Sequence, residues 1–278
     1  MDIITYAKGH GVIIEQLVED GRWHRVRTTD KPGKKNGAYM SRGTYGFVQN
    51  HATMPEADMW KPDAHELAQV DHAAMARRQK EAADQIKREQ EAAAKRAGWI
   101  LQNCQKTTHR YLQYKGFPEE LGNVWFDEKH QVNKLCIPMF VDRRVVGLQT
   151  ISDGEGFEKR FLYGQRTSEA VYVIDNRGPK VFAEGYVTAL SVRAALQALK
   201  VRYTLFVCFS AANMKKIAAN HGEGIVIGDY DKPSEHVPHA GGMGLKVCQD
   251  IGLPFWTSNE EGIDFNDYAR RNGLFKAS

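Results

Sequence analysis

The sequence predicts an α/β protein: a mostly parallel C-terminal sheet, preceded by a β-rich, α+β N-terminal region and a long connecting helix. Three observations predict it. From about Ala170 onward, apolar strand-like runs alternate with helix-like segments. From about Pro62 to Ala97, Ala, Gln, Glu, Lys and Arg dominate without interior Gly or Pro. Before residue 60, short alternating runs are separated by turn signals such as KPGKKNG.

Taken in order, residues 1–60 read as a small basic β-rich unit, with GVIIEQLV, DGRWHRVRT, GAYM and YGFV as strand candidates. Residues 61–118 read as the long helix and a second helix from Trp99 to Tyr114, stopped at Gly116. The long helix would run about 50 Å at 1.5 Å per residue. Its apolar stripe is thin, with Leu67, Val70, Met75 and Ile86 padded by alanines, which suits a partly solvated connector. Residues 119–170 read as a β-rich segment built from NVWF, KLCIPMFV, RVVGLQTI and KRFLYG. Residues 171–278 carry the alternation: AVYVI, KVFAE, YTLFVCF, GIVIGD and LPFW as strands, with helices at Tyr186 to Leu199, Ala211 to Asn220 and Gly242 to Ile251.

The 278 residues suffice for one large domain or two modest ones. No run of about 18 apolar residues occurs, so no membrane partner is expected. The N-terminus lacks the pattern of a signal peptide, and a cytoplasmic location is expected. Cys104, Cys136, Cys208 and Cys248 are far apart and form no CxxC pair, so no zinc is expected. His236 and His239 flank a glycine-rich loop and read as solvent-exposed. Trp125 and Trp256 read as core.

Net charge is only +4, but local charge is more informative. From Arg22 to Arg42, Arg22, Arg25, Arg27, Lys31, Lys34, Lys35 and Arg42 face one acid, Asp30, with Trp23, Tyr39, Tyr45 and Phe47 interleaved or adjacent. Bases among aromatics suit nucleic acid, where cations meet phosphate and rings stack on bases. A solvated hairpin with a basic turn has the same composition.

Two strand-like runs end on acid: KVFAEG at Glu184, and GIVIGDYD at Asp229 and Asp231. Magnesium prefers hard oxygen ligands and takes few carboxylates, leaving positions open for phosphate. One Glu with an Asp-x-Asp pair therefore suits phosphoryl transfer with Mg²⁺ or Mn²⁺. Working residues of open α/β sheets sit at the carboxyl ends of strands, so the acids converge if their strands are neighbours. Singly, each acid also suits a turn or a helix cap.

These residues resemble a Toprim domain, the catalytic fold shared by bacterial-type primases, type IA and II topoisomerases and some nucleases. The similarity spans roughly Val171 to Gly273: FAEGYVTAL carries the Glu-Gly motif, IGDYD the Asp-x-Asp motif, and GIDFNDYARRNG the ending of phage and plasmid primase-like members. THRYLQYKGF, IPMFVDRRVVGLQTI and EKRFLYG resemble the segment that precedes Toprim in that group, and RWHRVRTTDKPGKKNGAYM resembles its opening. The resemblance implies that Glu184, Asp229 and Asp231 are catalytic and hold the metal. Lys159, Arg160 and Lys232 would contact nucleotide or template, although Lys159 and Arg160 also suit a solvated strand edge. Asp264 and Asp267 would support the metal site, or else cap the last helix and favour its first turn. GGMGLK (Gly241 to Lys246) reads as a phosphate cradle or as a plain loop before a helix. One departure stands out: bacterial primases place an acid four residues after the motif Glu, where this chain has Thr188.

The function this implies is synthesis of short RNA primers on single-stranded DNA from NTPs, with a separate replicative helicase as partner. A metal-dependent Toprim nuclease is one alternative, and a catalytically inactive DNA- or replisome-binding protein is the other. Virus-encoded action in a bacterial host cytoplasm fits the small zinc-free format by analogy.

Overall fold

The computed structural model describes residues 1–54, 56–63, 72–233, 241–258 and 260–273. The chain is mixed α/β, and the described residues form three five-stranded sheets. They divide into two compact units, the first reaching Arg88 and the second starting at Glu89.

The first unit opens with α1 (Ile3–Gly9), capped by Asp2, whose Oδ1 accepts from the Thr5 amide at 2.8 Å. Five antiparallel strands follow in sequential order: β1 (Val12–Ile13), β2 (His24–Thr28), β3 (Gly37–Ser41), β4 (Gly46–Asn50) and β5 (Asp58–Trp60). Ile3 and Ala7 of α1 pack with Val12, Tyr39, Val48 and Trp60. The sequence expectation missed α1, whose seven residues are too few for a helical period. It also overextended the first strand, since EQLV is not in strand conformation.

Helix α2 (His72–Gln102) corrects the expected boundaries. Leu67 and Val70 lie outside the described residues. At its far end α2 passes through Gly98 and absorbs Trp99, because Ala93, Ala97 and Ile100 form a buried stripe that continues the helix. Ile86, expected in the apolar stripe, is exposed. The expected second helix is therefore replaced by three pieces. The Asn103 side chain donates to the Trp99 carbonyl at 2.8 Å where α2 ends. Strand β6 (Gln105–Thr107) then pairs with Gly122–Val124. Beyond α2, only the five residues of α3 (Arg110–Tyr114) remain helical, capped by His109.

The second sheet is antiparallel, in the order β10-β9-β8-β7-β6. Its remaining strands are β7 (Gly122–Asp127), β8 (Val132–Val141), β9 (Arg144–Ser152) and β10 (Lys159–Phe161). Asp142 and Arg143 join β8 to β9 with φ of 48° and 63°, the signs a two-residue hairpin of matching twist requires.

The third sheet contains β11 (Tyr172–Asp175), β12 (Lys180–Ala183), β13 (Thr204–Val207), β14 (Ile225–Ile227) and β15 (Phe255–Trp256), in the order β11-β13-β12-β14-β15. β12 to β15 run parallel and β11 is antiparallel. The connecting helices are α4 (Tyr186–Ala198), α5 (Ala211–His221) and α6 (Gly242–Ile251), and α7 (Phe265–Arg271) closes the described chain. Side chains alternate along β12: Phe182 packs with Met214, Ile217 and Val247 of α5 and α6, while Val181 packs with Val192 and Phe265 of α4 and α7. Helices thus cover both faces. From β12 the chain goes to β13 on one side, then returns past β12 to β14 on the other. The crevice between β12 and β14 is therefore a topological switch point, where open α/β sheets place their ligands.

Candidate active site

Glu184 directly follows β12, and Asp229 stands two residues beyond β14. Ala183 and Ile227 are register partners in a parallel ladder, so both acids leave the sheet side by side at its carboxyl edge. The far side of β12 is held by the Phe209 amide, which donates to the Glu184 carbonyl at 2.8 Å. Phe209 adopts φ 67°, a strained left-handed conformation for an aromatic residue. Gly185 is the N-cap of α4, which places Glu184 beside a helix N-terminus, where negative charge is favoured.

Burial pushes the Asp229 carboxyl up to about 7, aided by the charges of Glu184, Asp264 and Asp231 and opposed by Lys159. Burial likewise raises Glu184, with Asp231 adding and Lys159 opposing. The acids therefore lie within electrostatic reach of one another, and cationic compensation is incomplete.

Asp231 has a second task. Its Oδ2 accepts from the Gly244 amide at 2.7 Å, in the first turn of α6. Backbone bonds fix the same loop: Asp231 N to Gly241 O at 3.1 Å, and Gly262 N to Tyr230 O at 2.7 Å. Within GGMGLK, one first-turn amide, that of Gly244, thus already holds a carboxylate. Asp264 is the N-cap of α7, accepting from the Asp267 amide at 2.8 Å. Asp267 lies in the first turn, with Oδ1 3.8 Å from Lys115 Nζ. Thr188 is buried in α4, so no carboxylate stands four residues beyond Glu184.

The structure separates the two cations expected on β10. Lys159 acts on both acids, with Nζ 5.4 Å from the ring centre of Tyr111. Arg160 pairs with Glu158 at 2.5 Å and shares a cleft with His130 and Lys134 instead. Successive strand residues point to opposite faces, so only one of the pair could serve the acids. Lys232 is exposed, its stem running past Gly262. His236 and His239 lie outside the described residues.

Sequence reasoning gave Tyr111 no role. It is buried under Lys159, and burial pushes its hydroxyl up to about 12, with Lys115 opposing and Asp264 and Asp267 adding. Its helix lies about 150 positions from Asp264 in sequence, so no local spacing could have linked them. Cys248 is also close: burial raises its thiol to about 11, and Asp229 and Glu184 add to the shift.

The donor set fits magnesium in kind: hard carboxylate oxygens with unneutralised charge. Among the described residues, no three His, Cys, Asp or Glu side chains close into a ready-made coordination group. Glu184 and Asp229 leave neighbouring strands side by side, and one Asp231 oxygen is committed to α6. Magnesium characteristically takes one or two carboxylates and fills its shell with water and phosphate.

The basic N-terminal residues are also sorted by the fold. Arg25 and Arg27 occupy exposed positions on β2. Lys31, Lys34 and Lys35 lie in the exposed turn before β3. Arg22 instead reaches the Ala82 carbonyl of α2 at 3.4 Å. Trp23 is exposed and packs near Phe47, whose ring meets Tyr45 edge-on.

No family model matches the chain, and no curated protein does.

Proposed function

We propose that the chain is a primase-like nucleotidyltransferase whose third sheet is a Toprim-type catalytic domain. The observation that carries this reading is the pair Glu184 and Asp229, on adjacent parallel strands at a topological switch point, with Asp229 raised to about 7 by burial and neighbouring acids. A buried, under-compensated pair of this kind suits a divalent cation and phosphate.

The reaction is attack of a primer 3′-hydroxyl on the α-phosphate of an NTP, releasing pyrophosphate. Bound Mg²⁺ or Mn²⁺ would supply positive charge against the charge developing on the phosphoryl oxygens. Asp229, ionised, and Glu184 would hold that ion. Glu184 would also accept the hydroxyl proton, since its raised carboxyl is a better base than an ordinary glutamate. Lys159, exposed and propped on Tyr111, would bind the triphosphate beside the acids. Asp231 orders the loop that carries Asp229 by capping α6, and Asp264 orders the start of α7. The exposed Arg25 and Arg27, with Trp23 and Phe47, give the first unit a surface suited to single-stranded DNA.

Incubation with single-stranded template, the four NTPs and Mg²⁺ or Mn²⁺ tests the proposal. Labelled oligoribonucleotides should appear, and Glu184→Gln should abolish them. Nicking of plasmid without NTPs, in place of primers, would instead show a nuclease. The absence of both products would leave a binding protein.

A further inference from the structure

A second site lies away from the acids, in the other sheet of the same unit. Strand β6 is an edge strand and pairs only with Gly122–Val124, so Trp125, Phe126 and Asp127 of β7 run on past its end. Helix α2 flanks this notch with Arg96 and Trp99, three residues apart and so on one face. The result is a cavity of about 680 Å³, within the range of small-ligand sites.

Its chemistry is specific. Trp99 is 56% exposed and Phe126 47% exposed, and both line the cavity. Trp125 meets Trp99 edge-on at 6.3 Å and carries Lys134 on its ring at 5.8 Å. Half-exposed aromatic rings in one cavity cost solvation and offer flat apolar faces. Amide side chains stand among them: Gln105, Asn103 and Asn133. Asn103 donates to the Trp99 carbonyl, which leaves its oxygen to accept a further bond. At the rim, Asp127 is bound to Lys134 at 2.5 Å and His130 at 2.7 Å, so Arg96 and Lys129 outweigh the remaining acid, Glu128.

We propose that this notch binds an unpaired base of single-stranded nucleic acid, stacked on Trp99 or Phe126. The amides would contact the base edge, and Arg96 and Lys129 the flanking phosphates. Aromatic faces with interspersed cations favour a nucleobase over a peptide strand, which would use the edge of Trp125–Asp127 that β6 leaves uncovered and have no need of two open rings. The choice of ligand rests on the nucleic-acid reading given above, but the binding needs none of its chemistry.

The test uses the full chain and fluorescently labelled (dT)₁₂, titrated by anisotropy in 50 mM salt. Trp99→Ala or Phe126→Ala, whichever removes the ring that bears the base, should weaken binding more than threefold while melting near the wild-type temperature. Because a variant could misfold, the wild-type protein should also be photocross-linked to a 5-iodouracil-substituted oligonucleotide and its adducts mapped. Adducts on Trp99, Trp125 or Phe126 support the site. Affinity within threefold of wild type in both folded variants would leave the notch to a peptide strand and overturn the proposal. Adducts confined to the first unit, around Trp23 and Phe47, would overturn it as well. Loss of primer synthesis with this binding intact would count against the catalytic reading alone.

Discussion

Asp231 Oδ2 accepts the Gly244 amide at 2.7 Å and thereby fastens the loop bearing Asp229 to the first turn of α6. One carboxylate of the acidic trio is thus a structural group as well as a candidate ligand. The two roles separate by substitution. Asp231→Asn keeps an oxygen for the cap and loses the charge, so it should melt near wild type yet bind Mn²⁺ more weakly. Asp231→Ala loses both and should cost about 1 kcal/mol of stability, the usual worth of a cap. Thermal melts paired with Mn²⁺ titration calorimetry would check both.

The approach of α6 to that loop needs a residue without a side chain. A Cβ placed on Gly244 would stand 2.3 Å from the Asp229 carbonyl oxygen and 3.0 Å from Asp231 Oδ2. Gly244→Ala should therefore destabilise by about 1–3 kcal/mol, as overpacking does, and displace the acid from its position. Gly98→Ala is the contrast: it lies within α2 with nothing within 4 Å of the added carbon. It should stabilise by about 0.5–1 kcal/mol, the helical cost of glycine. Urea denaturation of both variants reads the difference directly.

The raised carboxyl of Asp229 makes stability depend on pH in a stated direction. Its ordinary value is 3.8, and in the folded protein it titrates near 7. Between those values the folded state holds a proton that the unfolded chain has released. Metal-free stability should therefore fall as pH rises from about 4 to about 7, then level off. Asp229→Asn should flatten that slope, leaving the smaller part that the raised Glu184 carboxyl contributes. It should make the metal-free protein more stable than wild type at pH 8, with the advantage gone by pH 4. Urea midpoints across this range test the sign, and an unchanged slope in the variant would assign the effect to another group.

The strand runs of the third sheet and the acids at their ends were legible in the sequence, because buried parallel strands read as apolar runs and Glu184 and Asp229 interrupt them abruptly. What could not be read was that β12 and β14 are neighbours. They are separated in the chain by α4, β13 and α5, and only the return past β12 brings their acids together. Asp231 illustrates the same limit: its partner Gly244 lies beyond a loop, and no local pattern marks a cap supplied from 13 residues away. The end of α2 was misjudged for a different reason. The helix-favouring composition ends at Ala97, but Ala97 and Ile100 bury against the second sheet, and that packing outweighs the local cost of Gly98. Trp125, read as core, packs half-buried against the cluster of Ala97, Ile100, Cys136 and Leu148, and it also lines the notch because β6 is too short to cover its strand.

The central claim is that Glu184 and Asp229 form a divalent-cation centre for phosphoryl transfer. Crystals soaked in Mn²⁺ at pH 8, where Asp229 is ionised, test it most directly through anomalous scattering. The account predicts one strong peak bonded to oxygens of Glu184 and Asp229, absent from Glu184→Gln crystals. A saturating soak that leaves both carboxylates without a peak, or places manganese elsewhere in the protein, would contradict it.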